Sequence, residues 1–218
     1  MSEGIEASSA KVVGGLSWYQ VWLRATTRPS VATFEELVRD PDASPGRAYS
    51  WAFLTALIAV VFTALVYIVF PGAYSTFLPQ ARATGDLSID RPSLLFCLSP
   101  ISAGIAVLLL IIAAGLTHWI ARALGGTGSY AQLVYAFAAF VAPLYLLISL
   151  LAMIPFIQCF TPLLTVYILV LTVIAVKAVY GFGWGKAVLS PFLLPGILLL
   201  CNVLVIVTLA ILGSNLSQ

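Results

Sequence analysis

Most of the chain from Trp51 to Gln218 consists of apolar runs long enough to cross a bilayer, and after Arg91 only Arg122, Lys177 and Lys186 carry charge. A soluble fold cannot cover so much apolar surface with so few charges, which points to a chain built for lipid. Of the 218 residues, 61% are hydrophobic and 8% charged, against about 25% charged in an ordinary soluble domain. All eight acids and seven of the ten Lys and Arg lie within the first 91 residues. The chain therefore divides into a polar head, 1–48, and a membrane body, 49–218. A formal charge of +2 is too small to suggest a nucleic-acid partner.

A hydrocarbon core about 30 Å thick needs about 20 helical residues rising about 1.5 Å each. Five segments meet that length: Tyr49 to Phe70, stopped by Pro71-Gly72; Leu94 to Ile120; Tyr130 to Ile154; Leu163 to Val179; and about Pro191 to Leu212. Backbone polar groups in lipid must bond within the segment, so these runs are expected to be helices. None shows the alternation of a barrel strand. The expected fold is an all-α integral membrane protein with five transmembrane helices and an N-terminal interfacial amphipathic segment. The first 20 residues are polar, include Glu3 and Glu6, and lack the basic start and apolar centre of a cleavable signal. The first span is then expected to act as its own insertion signal.

Basic residues favour the cytoplasmic side of a membrane. Placing the N-terminus there puts Lys11, Arg24, Arg28, Arg39, Arg47, Arg122, Lys177 and Lys186 inside, and only Arg82 and Arg91 outside. The charge count thus predicts N-terminus in and C-terminus out, with the loop Pro71–Pro92 as the main exterior feature. Compact loops favour a prokaryotic plasma membrane.

The head carries Trp18 and Trp22 four residues apart, on one face of a helix. Indole beside Arg24 favours the headgroup layer. A second short helix is expected after Pro29, capped by Ser30 or Thr33, with Glu35-Glu36 in its first turn and Phe34, Leu37 and Val38 on its apolar side. These two pieces would lie on the bilayer as a collar or dock a partner.

Few residues in the body can carry chemistry. His118, the single histidine, should lie at the cytoplasmic interface beside Trp119, and no carboxylate occurs in any span to partner it. Asn202, near the middle of the fifth run, should bond to a neighbouring helix, because an unpaired amide in lipid is costly. Gly115, with Ala113 and Ala114, offers a small-residue packing face, and Pro143 should kink the third span by removing one backbone bond. Cys97, Cys159 and Cys201 stand far apart, so no metal or other cofactor is expected. The stretch Gly181-Phe182-Gly183-Trp184-Gly185-Lys186 fails as a phosphate loop, since position 180 is Tyr and 187 is Ala. No nucleophile–base pair or paired catalytic carboxylates stand in the sequence, so catalysis is not expected.

The stretch from His118-Trp119-Ile120-Ala121-Arg122 through Gly125-Gly126-Thr127-Gly128-Ser129 to Gln132 resembles the link between spans two and three of the Yip (Ypt-interacting protein) domain, especially its prokaryotic branch. Ala142-Pro143-Leu144, the turn Val179-Tyr180-Gly181 leading to Gly185-Lys186-Ala187, Pro195, and Arg28-Pro29 before Thr33-Phe34 fit the same pattern. The resemblance covers about residues 20–213 and implies a five-helix bundle with a cytoplasmic N-terminus. Eukaryotic members bind prenylated Rab-type GTPases and one another. They carry an Asp-Leu-Tyr-Gly-Pro motif that is absent here, so binding of a small GTPase is not carried over, and no catalytic residue is implied.

The leading functional expectation is a non-catalytic membrane scaffold or adaptor, a subunit of a larger assembly. Its partners would be membrane lipids and other integral membrane proteins or a second copy. The alternative is a small permease or channel for a neutral solute or lipid, suggested by Pro143, Asn202 and the polar run Ser99-Pro100-Ile101-Ser102. A third reading is a lipid-associated enzyme centred on His118.

Overall fold

The computed structural model describes residues 15–69, 91–151, 160–193 and 196. Six helices follow one another: α1 (Trp18–Thr27), α2 (Val31–Val38), α3 (Pro45–Val69), α4 (Arg91–Ala123), α5 (Tyr130–Leu151) and α6 (Thr161–Tyr180). Residues 184–193 are also helical, and no strand occurs among the described residues. Four helices are long and apolar enough to cross a membrane, with candidate spans Pro45–Leu65, Phe96–Ala123, Tyr130–Leu151 and Thr161–Tyr180. They match the first four expected runs. The fifth, Pro191 to Leu212, lies mostly outside the described residues, as do Asn202 and most of the loop Pro71–Pro92.

Helix α3 starts earlier than the apolar run, at Pro45. Proline suits a first helical position because its missing N–H would have no partner there. The Ser44 hydroxyl accepts from the Arg47 N–H at 3.3 Å. Helix α4 continues through Pro100, whose ring denies the Phe96 carbonyl its usual donor. The Ser99 hydroxyl donates to that same carbonyl at 2.7 Å, and Ser102 donates to the Leu98 carbonyl at 2.8 Å. The polar run in α4 thus repairs its own helix. Helix α5 likewise runs unbroken past Pro143.

Helix α5 forms the central post. Its residues Leu133 through Phe140 are all buried, so this part has no lipid-facing stripe. Helices α3, α4 and α6 all pack against it, as do α1 and α2. Ala136, Ala138 and Ala139 keep its diameter small there, which lets five neighbours approach.

The head is part of this core. Val21, Ala25, Phe34 and Leu37 are buried in the same cluster as α5. Phe34 meets Phe140 edge-on at 5.9 Å, and Trp22 meets Trp51 at 6.0 Å. The Tyr167 hydroxyl donates to the Thr26 carbonyl at 2.5 Å. About 20 Å of helix separates Tyr167 from Tyr180 at the end of α6, so the head lies along the flank of the bundle. Ser30 caps α2 by accepting from the Thr33 N–H at 3.1 Å. Glu35 and Glu36 fall beyond the first turn, contrary to the sequence expectation, and pair with Arg39 at 3.8 Å and Arg24 at 2.6 Å. Such exposed pairs contribute about 0–1 kcal/mol, so apolar packing holds the head.

Phe34→Ala should therefore destabilise the fold by about 3 kcal/mol and speed tryptic cleavage at Arg24. Leu54→Ala, on the exposed face of α3, should do neither. Thermal unfolding in detergent and timed proteolysis measure both, and equal behaviour of the two variants would contradict the docked head.

Candidate functional site

The end of the bundle where α4 turns into α5 and where α6 stops is built from two tight turns. Helix α6 ends at Gly181, in the left-handed region (φ 66), with its N–H donating to the Lys177 carbonyl at 2.9 Å. Glycine holds that conformation without steric cost. The chain then reverses, and the Phe182 ring stacks on Tyr180 at 5.6 Å. Gly126 and Gly128 of the α4–α5 turn press against this reversal. A Cβ at Gly128 would run into the Val179 carbonyl and approach the Tyr180 ring to 2.9 Å. A Cβ at Gly126 would lie 2.7 Å from the Phe182 ring. The glycines are therefore what allow the two turns to meet.

Four helices join at this end through polar side chains. His118 Nδ1 on α4 and the Tyr180 hydroxyl on α6 share a hydrogen bond of 2.5 Å. The His118 ring stands edge-on to Tyr130 of α5 at 5.9 Å. The Tyr130 and Tyr49 hydroxyls are 3.2 Å apart, tying α5 to α3. Tyr130 also reaches the Ile111 carbonyl at a limiting 3.5 Å. The helical residues 184–193 pack beside α4, where the buried Ser190 hydroxyl donates to the Thr117 carbonyl at 3.3 Å.

Three cations crown the same end. Lys186 Nζ donates to the Leu124 carbonyl at 2.9 Å, bridging the two turns. Arg122 Nη1 donates to the Gly126 carbonyl at 3.4 Å. Lys177 Nζ sits over the Trp184 ring at 4.3 Å. The arrangement can hold helices together and present positive charge. The residues around His118 are tyrosines and Arg122, with no carboxylate among the described contacts.

At the other side of the bundle end, Arg47 fixes the head. Its Nη2 donates to the Leu16 carbonyl at 2.6 Å, and its guanidinium lies over Trp51 at 5.0 Å. A cleft of about 510 Å³ lies between head segments, with Leu16, Ala32, Glu35, Arg39 and Asp40 in its wall.

The sequence candidates scatter. His118 stands in the four-helix junction. Trp18 and Trp22 do share a face, with ring centroids 5.0 Å apart; Trp18 is exposed while Trp22 turns to Trp51. Pro143 is partly buried within α5, away from the turns. Gly115 has open space where a side chain would point. Asn202 lies outside the described residues. Sequence reasoning passed over Tyr49, Tyr130 and Tyr180, because tyrosine inside an apolar run reads as apolar. Their position at span ends, where a hydroxyl can find a partner, was the available signal.

Long apolar helices around a buried central post define a multi-pass membrane protein. The Yip1 domain model matches residues 24–206, and the chain belongs to that family. No curated protein and no solved structure matches it significantly. Two of the stretches that carry the resemblance in the sequence, 118–132 and 179–189, are packed together here.

Gly128→Ala should destabilise the protein, whereas Gly115→Ala should leave stability unchanged. In a double-mutant cycle, His118→Ala and Tyr180→Phe should couple by about 1 kcal/mol. Unfolding equilibria in mixed micelles measure both, and strict additivity would mean that the bond is not made.

Proposed function

We propose that this protein is a non-catalytic integral membrane scaffold or adaptor acting as a subunit of a larger membrane assembly. The supporting observation is the surface of α4. Only 17% of its spanning window is buried, against 56% for α5. Leu98, Ile101, Ile105, Leu108, Leu109 and Ile112 are exposed along it. Meanwhile the hydroxyls and imidazole of the bundle end bond to neighbouring helices, which suits a rigid body more than a reacting one. The partners this surface fits are lipid chains and other integral membrane proteins, including a second copy.

The topology belongs to the same proposal. Residues 184–193 leave the cation-bearing end and run beside α4, and the apolar sequence continues to Leu212. This supports a fifth span; the Lys and Arg distribution favours a cytoplasmic N-terminus, the odd span number then puts the C-terminus outside, and the compact loops favour a prokaryotic plasma membrane. Exposed Trp18, Tyr19 and Leu23 on α1 support contact of the head with the bilayer interface.

Purification in mild detergent should recover a stoichiometric partner or a defined homo-oligomer, and a strictly monomeric, partnerless chain would overturn the scaffold. Flux of a neutral solute into liposomes, lowered by Asn202→Ala, would favour a permease instead. In a chain whose own cysteines are replaced by alanine, Ser217→Cys should react with an impermeant thiol reagent added outside cells. Ser2→Cys should react only after permeabilisation, and the opposite pattern would refute the topology.

A further inference from the structure

Helix α4 carries an apolar face of membrane length. Its exposed apolar face from Leu98 to Leu116 is about 27 Å long, close to the hydrocarbon thickness of about 30 Å. Just beyond it stands Trp119, 72% exposed, and on the neighbouring helical stretch Trp184, 57% exposed. Indole rings favour the headgroup layer. Arg122 follows on α4, and Lys177 and Lys186 border Trp184.

The charges at this level are unbalanced. Among the described residues, the ion pairs are Arg24–Glu36, Arg39–Glu35 and Arg47–Asp42, all within the head and the start of α3. Arg122, Lys177 and Lys186 make no ion pair among them, and all eight acids of the sequence precede Arg91. The packed turns bring Arg122 and Lys186 to one junction, and Lys177 lies over Trp184, two residues before Lys186. Arg122 bonds to Gly126, which abuts Phe182. Lys186 lies 6.0 Å over that same Phe182 ring and bonds to Leu124. Each cation keeps free donors: an ammonium has three N–H bonds and a guanidinium five, and the bonds just given use one from Lys186 and one from Arg122.

We propose that Arg122, Lys177 and Lys186, flanked by Trp119 and Trp184, form a binding site for the phosphate of an anionic phospholipid headgroup. Phosphate oxygens accept charge-assisted hydrogen bonds from guanidinium and ammonium groups. Net positive charge selects a net-negative headgroup over a zwitterionic one. The tryptophans and the lipid-length face below them place the site where such a headgroup lies, which favours lipid over a soluble phosphate. The site requires only that α4 stands in the bilayer, and it is independent of the scaffold reading.

Native mass spectrometry of the full chain, titrated with phosphatidylglycerol or phosphatidylcholine, tests it. Phosphatidylglycerol should be retained preferentially. Arg122→Gln and Lys186→Gln should each weaken that retention on the order of fivefold, as loss of one charge near a membrane surface does. Lys186→Arg should keep it, and Arg39→Gln in the head should leave it unchanged. The wild-type chain gives a reading that depends on no variant: added salt should lower phosphatidylglycerol retention and spare phosphatidylcholine. Equal retention of the two lipids, salt-insensitive preference, or an equal loss in Arg39→Gln would overturn the site. Abolition of the lipid preference by inorganic phosphate at matched ionic strength would assign it to a soluble anion and also overturn it.

Discussion

The all-round burial of α5 between Leu133 and Phe140 is the constraint on which the rest of the structure depends. In lipid, helices gain little from hiding apolar surface, because lipid tails are equally apolar, so close packing must hold them. A post clad on every side maximises that packing. The alanines of α5 keep it thin, and the aromatic rings of Trp51 and Phe34 fill the space around it. Trp51 stands 5.4 Å from the Tyr135 ring and 6.0 Å from Trp22. The Tyr135 hydroxyl and the Trp22 indole N–H are buried without a bonding partner among the described residues. An unmet buried donor costs about 1–3 kcal/mol, so the ring packing around Trp51 must outweigh that cost.

Cladding α5 completely has a consequence for the head. Three spanning helices leave one flank of α5 uncovered, and α1 and α2 fill it through Val21, Ala25, Phe34 and Leu37. The polar segment is therefore a structural part of the bundle. Its charges pair on the outer side, at Arg24–Glu36 and Arg39–Glu35. Among the four described spans, α4 has the barest surface, and the scaffold proposal rests on that face.

The two turns at the bundle end show how local sequence becomes a site. Neither glycine-rich stretch has the spacing of a phosphate loop, and each alone reads as a connector. Packed together, they set His118 against Tyr180 and bring Lys186 to Leu124. The family membership rests on a domain model spanning both stretches, and their contact gives a physical reason for those residues to occur together.

Four membrane-length helices, two short head helices and a cap at Ser30 or Thr33 were legible from the sequence, because each follows from local rules: hydrophobic length, proline and glycine stops, and a side chain that reaches its own backbone; the structure chose Ser30. The sequence also marked His118 and the paired faces of Trp18 and Trp22. It could not show that Tyr49, Tyr130 and Tyr180 converge, that Gly126 and Gly128 rather than Gly115 sit at the close approach, or that the head folds onto the flank of α5. Those facts concern residues far apart in the chain, with partners selected by shape at distances that no periodicity encodes. Hydrophobic length decides which segments enter lipid; only their packing in three dimensions decides which side chains meet.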